Sequence, residues 1–328
     1  MAEQNNDKVY SEKARDFILL TGRANQPLAE SIGKILKTGV TCPISIFSDG
    51  EIRVRIEPNL RRRKVFLIQS TSSPVNDHIM ELALMADAAR RANASEITAV
   101  IPYYGYARQD RKEMSRVPIS SSAVASLLVN AGINRILTLD IHTEQTEGAI
   151  SEPWDNVYGS YSLLPALKDR KMQNLVVASP DKGGFLRAAG YAKLLQAEGM
   201  AIAYKDRDLS VNNISETVNI IGEVKDKDVL LVDDMIDTAG TIVHAANFIK
   251  ERGARSVRVA ATHGLFSGEA LKRISDSAIE EMIITDSIKP RQEVLNNKKI
   301  SIVTVAPLIA EAIRRIRTGE SISQALIL

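Results

Sequence analysis

Apolar positions along this chain alternate between two patterns. Short unbroken runs of branched side chains fit buried parallel strands, and stretches with apolar residues three and four apart fit amphipathic helices. In order, residues 17–20 predict a strand, and Leu28, Ile32, Ile35 and Leu36 one face of a helix. Ile52, Val54 and Ile56 alternate with polar residues behind Asp49-Gly50, which predicts a hairpin across 44–56. A strand at 65–68 leads to a helix capped at Asn76 or Asp77, with Ile79, Leu82, Ala83 and Ala86 inward. Strand 97–101 then precedes a helix with Val124, Leu127, Leu128 and Ala131 on one face, stopped by Gly132. Strand 136–139 ends the first series.

The second series begins with strand 175–178 and a helix marked by Ala188, Tyr191, Ala192 and Leu195. Strands 201–204 and 217–221 flank a polar loop at 205–216, and strand 229–232 follows. Ile242, Ala245, Ala246 and Ile249 then mark a helix closed by Gly253. Strands 257–261, 282–285 and 300–305 precede a last helix with Ile309, Ala312, Ile313 and Ile316 on one face. Residues 65–102 and 229–264 share one plan: strand, polar loop, amphipathic helix, strand. That repetition predicts an internal duplication, two tandem α/β domains, each with a central mainly parallel sheet flanked by helices. The expected division is a polar arm at 1–16, one domain at 17–152 and a second at 153–328. The first copy keeps the scaffold and lacks the acidic pair and the threonine-glycine loop of the second.

Bulk properties narrow the class. A chain of 328 residues, 45% hydrophobic and 25% charged, is long enough for two globular cores. A net charge of +2 gives no field for nucleic acid or a membrane surface. The single cysteine, Cys42, excludes an internal disulfide and a cysteine-rich zinc site. The polar start is neither a signal peptide nor a transit pattern, and no apolar run is long enough to span a membrane. A cytoplasmic protein is the expectation.

The chemistry concentrates in 229–241, Val-Leu-Leu-Val-Asp-Asp-Met-Ile-Asp-Thr-Ala-Gly-Thr. Ligands of open parallel sheets sit beyond the carboxyl ends of strands. There, Gly240 would let backbone approach an anion, a helix start offers N–H groups, and Thr238 and Thr241 add hydroxyls. The result is a phosphate cradle. Asp233 and Asp234 would repel a phosphate and instead suit sugar hydroxyls or a hydrated magnesium ion.

Other segments are ambiguous singly. Arg61-Arg62-Arg63-Lys64 reads as a solvated face or a small anion site. Arg108 and Gln109, after a strand, can grip a polyphosphate and a purine edge, though charged loops are common there. His142 follows another strand, where a lone histidine is more often a packing residue than a ligand. Ser179-Pro180-Asp181-Lys182-Gly183-Gly184 is either a phosphate approach needing a cation at Asp181 or a glycine turn. Lys205-Asp206-Arg207-Asp208 is a self-neutralising turn or part of a lid.

The order of these pieces decides among the alternatives. The phosphate segment resembles that of phosphoribosyl-binding enzymes. Phe47-Ser48-Asp49-Gly50-Glu51, Tyr106-Ala107-Arg108-Gln109-Asp110-Arg111, Asp140-Ile141-His142, the Ser179–Gly184 motif, Lys205-x-Arg207 and 229–241 together resemble the ribose-phosphate pyrophosphokinase family from about residue 17 onward. The resemblance implies two phosphoribosyltransferase-type domains. It also implies transfer of the β,γ-diphosphoryl group of ATP to the C1 hydroxyl of ribose 5-phosphate, with magnesium as cofactor.

By that resemblance Phe47, Asp49, Gly50, Glu51, Arg108, Gln109 and Asp110 bind ATP. Asp233, Asp234, Asp237, Thr238, Ala239, Gly240 and Thr241 hold ribose 5-phosphate, joined by Arg207. His142 and Asp181 belong to magnesium, and Lys205 and Arg207 are catalytic lid cations. A homo-oligomer, a hexamer in the usual case, is implied, with the 47–51 hairpin completing a neighbour's ATP pocket. Thr143-Glu144-Gln145 departs from the family's Ala-x-Gln after the histidine, and Asp206 stands where a base is frequent. A non-catalytic homologue and a simple phosphoribosyltransferase are the competing readings.

Overall fold

The computed structural model describes residues 16–207 and 216–322. It divides into two compact units, 16–157 joined by 309–322, and 158–308.

The first unit runs β1 (Phe17–Thr21), α1 (Gln26–Ile35), β2 (Val40–Thr41), β3 (Ile44–Ile46), β4 (Ile52–Val54) and β5 (Lys64–Ile68). It continues with α2 (Val75–Arg91), β6 (Glu96–Ile101), α3 (Ser120–Ala131), β7 (Arg135–Leu139), a 3₁₀ turn at Glu144–Ala149 and β8 (Trp154–Val157). A parallel sheet in the order β2-β1-β5-β6-β7-β8 forms its centre, and β3 and β4 make a separate antiparallel hairpin. The unit ends after Val157 because β8 pairs with β7 from Ile136↔Trp154 to Leu139↔Val157.

The second unit opens with α4 (Ser160–Asp169), β9 (Val176–Ser179), α5 (Phe185–Leu195), β10 (Gly199–Arg207) and β11 (Glu216–Ile221). Then come β12 (Asp228–Ile236), α6 (Gly240–Glu251), β13 (Ser256–Gly264) and α7 (Ala270–Ser275). β14 (Glu281–Thr285), α8 (Gln292–Leu295), β15 (Ile300–Val303) and α9 (Ala306–Thr318) complete the series. Its sheet order is β11-β10-β9-β12-β13-β14-β15, parallel except for β10 with β11. From Ile309 onward α9 belongs to the first unit, where Arg317 stacks on the Phe17 ring at 4.8 Å.

The central strands are buried on both faces, as their unbroken apolar runs require: Val229 to Val232 and Val65 to Leu67 are wholly inaccessible. Two helix faces differ from the sequence pattern. In α1 the buried set is Leu28, Ala29, Ile32 and Gly33, and Ile35 is exposed. In α3 it is Ser121, Ala125 and Leu128, with Leu127 exposed. Small residues, Ala29 and Gly33 in one and Ser121 and Ala125 in the other, make up half or more of each buried face.

Candidate active site

The site predicted in the second unit grows from β12. The strand does not stop before the acidic pair, as expected, but carries Asp233 and Asp234 within it and ends at Ile236. Pairing with β13 continues through Asp233↔Ala261 to Ile236↔Gly264, which holds those residues extended. The cradle is thus the short turn between Ile236 and Gly240. Its carbonyls are drawn toward protein donors: Leu265 N and Phe266 N bond Ile236 O, Ser267 N bonds Asp237 O, and Arg273 Nη1 donates to Thr238 O at 2.8 Å. Occupying the carbonyls this way lowers the negative potential an anion would meet at the turn.

Ala239, not Gly240, takes the left-handed conformation at the start of α6, with φ 60° and ψ 5°. An L-residue there is strained by roughly 1–2 kcal/mol, a cost the surrounding bonds must offset. Gly240 serves space instead: a Cβ on it would meet only Thr238 Oγ1, at 3.8 Å. No side chain caps α6. An open glycine at an uncapped helix start fits an incoming phosphate.

The acidic pair is electrically tense. Burial pushes the Asp233 carboxyl well above the usual carboxylate range, and the charge of Asp234 pushes it further. Arg187 on α5 opposes both, lying 3.7 Å from Asp233 Oδ1 and 3.5 Å from Asp234 Oδ1. Sequence reasoning missed Arg187. Its signal was position, one helical turn past the glycines of the Ser179–Gly184 motif.

Asp181, after β9 in the same unit, accepts the Gly184 N–H through Oδ1 at 2.9 Å, while Ser179 Oγ donates to Asp181 O. The glycine turn and the exposed carboxylate therefore coexist. Lys205 and Arg207 fall on the backbone of β10, in register with Val218 and Glu216. The predicted loop at 205–216 is correspondingly shorter, since β10 runs to Arg207 and β11 begins at Glu216. The rest of the predicted lid, 208–215, lies outside the described residues.

The residues expected on the nucleotide side belong to the first unit. Phe47, Asp49, Gly50 and Glu51 form the hairpin tip, where Gly50 has φ 94° and Phe47 N bonds Glu51 O. Gly50 and Glu51 border a cleft of about 480 Å³ against Asn76, Asp77, Met80 and Leu84 of α2. After β6, Ser120 Oγ donates to Gln109 Oε1 at 2.6 Å, and Ser121 N donates to Gln109 O. With one lone pair of its oxygen engaged by Ser120, the Gln109 amide keeps both N–H donors to offer a purine. Thr143, the departure after His142, donates to Asp110 Oδ2 at 2.8 Å and so ties the two loops together. His142 is exposed beside it, with Arg108 on the neighbouring loop.

The first copy has no equivalent cradle. Gln69, Ser70, Thr71 and Ser72 follow β5 and are all buried. Gln69 Oε1 accepts Ala24 N and Nε2 reaches Glu81, while Thr71 Oγ1 donates to Tyr103 O and accepts Gly105 N at 2.6 Å. A Cβ at Gly105 would lie 2.4 Å from Thr71 O, so the backbones close on one another. Protein groups fill the place.

Among the described residues no cluster of three or more His, Cys, Asp or Glu is arranged to hold a metal, and no helix is long and apolar enough to cross a membrane. Magnesium needs only one or two carboxylates beside water and substrate phosphates, so the exposed Asp181 suits it. The imidazole of His142 is the softer donor of the predicted pair.

Comparison with known proteins gives concordant results. The model for the N-terminal domain of ribose phosphate pyrophosphokinase matches residues 17–132, and that for the phosphoribosyl synthetase-associated domain matches 208–327. The chain is 47% identical over 310 residues to the ribose-phosphate pyrophosphokinase of Vibrio cholerae, covering 94% of this chain and 98% of the relative. Against the Campylobacter jejuni protein of the same name, identity is 45% over 314 residues, covering 95% and 100%. The crystal structure of phosphoribosylpyrophosphate synthetase from Mycobacterium smegmatis aligns with a TM-score of 0.87 at 35% identity, over 93% of this chain and all of that one.

Proposed function

Because the chain belongs to the ribose-phosphate pyrophosphokinase family and is a phosphotransferase that makes phosphoribosyl pyrophosphate, we propose that its second unit holds ribose 5-phosphate and its first unit supplies the nucleotide contacts. The observation that carries this is the cradle: an uncapped helix start with an open Gly240, on the turn that follows the half-buried Asp233 and the buried Asp234. Asp237, Thr238, Ala239, Gly240 and Thr241 receive the phosphate by backbone N–H and hydroxyl groups. Asp233 and Asp234 accept hydrogen bonds from the sugar hydroxyls.

ATP belongs to Arg108, Gln109, Asp110 and the hairpin Phe47, Asp49, Gly50 and Glu51. Arg108 binds phosphate oxygens, and the Gln109 N–H donors meet acceptors on the purine edge. The hairpin is assigned to a neighbouring subunit's pocket in a homo-oligomer, a hexamer. Its large exposed side chains, Ile46 and Phe47, support that assignment. His142 of the first unit and Asp181 of the second are each assigned to magnesium sites, and magnesium when bound neutralises phosphate charge.

In the reaction the C1 hydroxyl oxygen attacks the β phosphorus of ATP, the bond to the α-phosphate oxygen breaks, and AMP leaves as the hydroxyl gives up its proton. Alignment and charge neutralisation carry such a transfer. Lys205 and Arg207 are assigned the cationic role toward the phosphoryl group in transit, with Arg207 also assigned to the sugar phosphate.

The test is AMP formation from ATP, dependent on ribose 5-phosphate and magnesium. Lys205→Ala is expected to raise the barrier by about 3–5 kcal/mol while leaving ATP affinity within a few fold. Wild-type turnover in that variant refutes the lid assignment.

A further inference from the structure

Arg187 has no role among the motifs, yet among the described residues it is a cation held against both members of the acidic pair. Its Nη1 lies 3.5 Å from Asp234 Oδ1 and 3.7 Å from Asp233 Oδ1. Its side chain is 24% exposed, and those of Asp233 and Asp234 are 24% and 4% exposed. An ion pair so withdrawn from water is weakly screened.

The geometry is unusual for a strand. Successive side chains leave a β-strand on opposite faces, so neighbouring carboxylates diverge. Here one guanidinium nitrogen reaches an oxygen of each, which brings two diverging groups to a common point. Both separations exceed the ~2.7–2.9 Å of a charge-assisted hydrogen bond. The contact is therefore an ion pair that orients the carboxylates, beside the bond in which Asp233 Oδ1 accepts the Asp234 N–H at 2.9 Å.

We propose that Arg187 is a positioning residue for the sugar: it gathers Asp233 and Asp234 onto the vicinal hydroxyls and so sets the preference for ribose 5-phosphate over 2-deoxyribose 5-phosphate. This rests on the reading of the acidic pair as the sugar site. Sites built to hydrogen-bond a substrate hydroxyl reject the analogue lacking it far more strongly than a loose pocket does. A pair of carboxylates released from Arg187 loses that discrimination before it loses binding altogether.

The experiment compares Arg187→Gln, Arg187→Lys and Asp234→Asn in the full-length protein. It measures kcat and KM for ribose 5-phosphate and ATP, and the ratio of kcat/KM for ribose 5-phosphate over its 2-deoxy analogue. Arg187→Gln is expected to raise the ribose 5-phosphate KM about tenfold or more and lower the discrimination ratio about tenfold, with ATP KM within twofold. Arg187→Lys keeps the charge without the planar fork, so its values should fall between wild type and Arg187→Gln. If Arg187→Gln does not fold, Arg187→Lys decides alone by a shift in ribose 5-phosphate KM that ATP KM does not share. Unchanged KM and ratio in the folded variants, whatever happens to kcat, overturn the proposal. If Asp234→Asn moves both and the Arg187 variants do not, only the role of Arg187 falls; if Asp234→Asn moves neither, the sugar-site reading falls with it.

Discussion

Asp233 shows at the scale of one residue how a site is held in a costly state. Its buried carboxyl, beside Asp234, titrates well above the usual carboxylate range, with Arg187 as partial relief. A group whose folded pKa is raised contributes stability that is present at low pH and is lost as pH rises through that pKa. Asp233→Asn removes this loss. The variant is therefore expected to melt roughly 1–2 °C higher than wild type at neutral pH, for a gain of about 1 kcal/mol. The difference should vanish in acid, where Asp233 is already protonated, and activity should fall. Melting curves across pH check this, and a variant less stable than wild type at neutral pH would show that the pair is not under tension. The acidic residues were plain in the sequence. Their tension was not, because burial is set by the packing around β12, and its relief by Arg187 comes from another element that only the fold brings within reach.

The element that matters most is the turn from β12 into α6. Its strand, polar turn and helix could all be read from apolar spacing, as could the duplication and the parallel order. What spacing did not reveal was the local backbone. The strand runs through both aspartates because β13 continues to pair with it. The left-handed residue is Ala239, where sequence habit places a glycine. Long-range pairing decides such details, and packing decides that α1 and α3 bury other residues and leave Ile35 and Leu127 outward. Gly240 is thus free of conformational demand, and Ala is no worse a helix former there. Gly240→Ala is expected to fold with a melting temperature no lower than wild type and to raise the ribose 5-phosphate KM at least tenfold, since its methyl group occupies the cradle. Steady-state kinetics beside thermal melting would separate the two effects; an unchanged KM removes the phosphate from this turn.

At the scale of the whole molecule, one plan occurs twice with opposite outcomes. In the first unit Gln69, Thr71 and Gly105 close the post-strand turn with protein hydrogen bonds, and in the second the equivalent turn stays open. The sequence predicted that only the second copy keeps a cradle, from the missing acidic pair. It could not show that the first is filled, since Gly105 and Thr71 meet only across strands. A duplicated chain that seals one cradle and opens the other should bind a single sugar phosphate. The most direct test is a crystal structure with ribose 5-phosphate bound. The phosphate is expected among residues 237–241, with the sugar hydroxyls on Asp233 and Asp234 and no copy in the first unit. A phosphate held elsewhere, with that turn empty, would contradict the assignment.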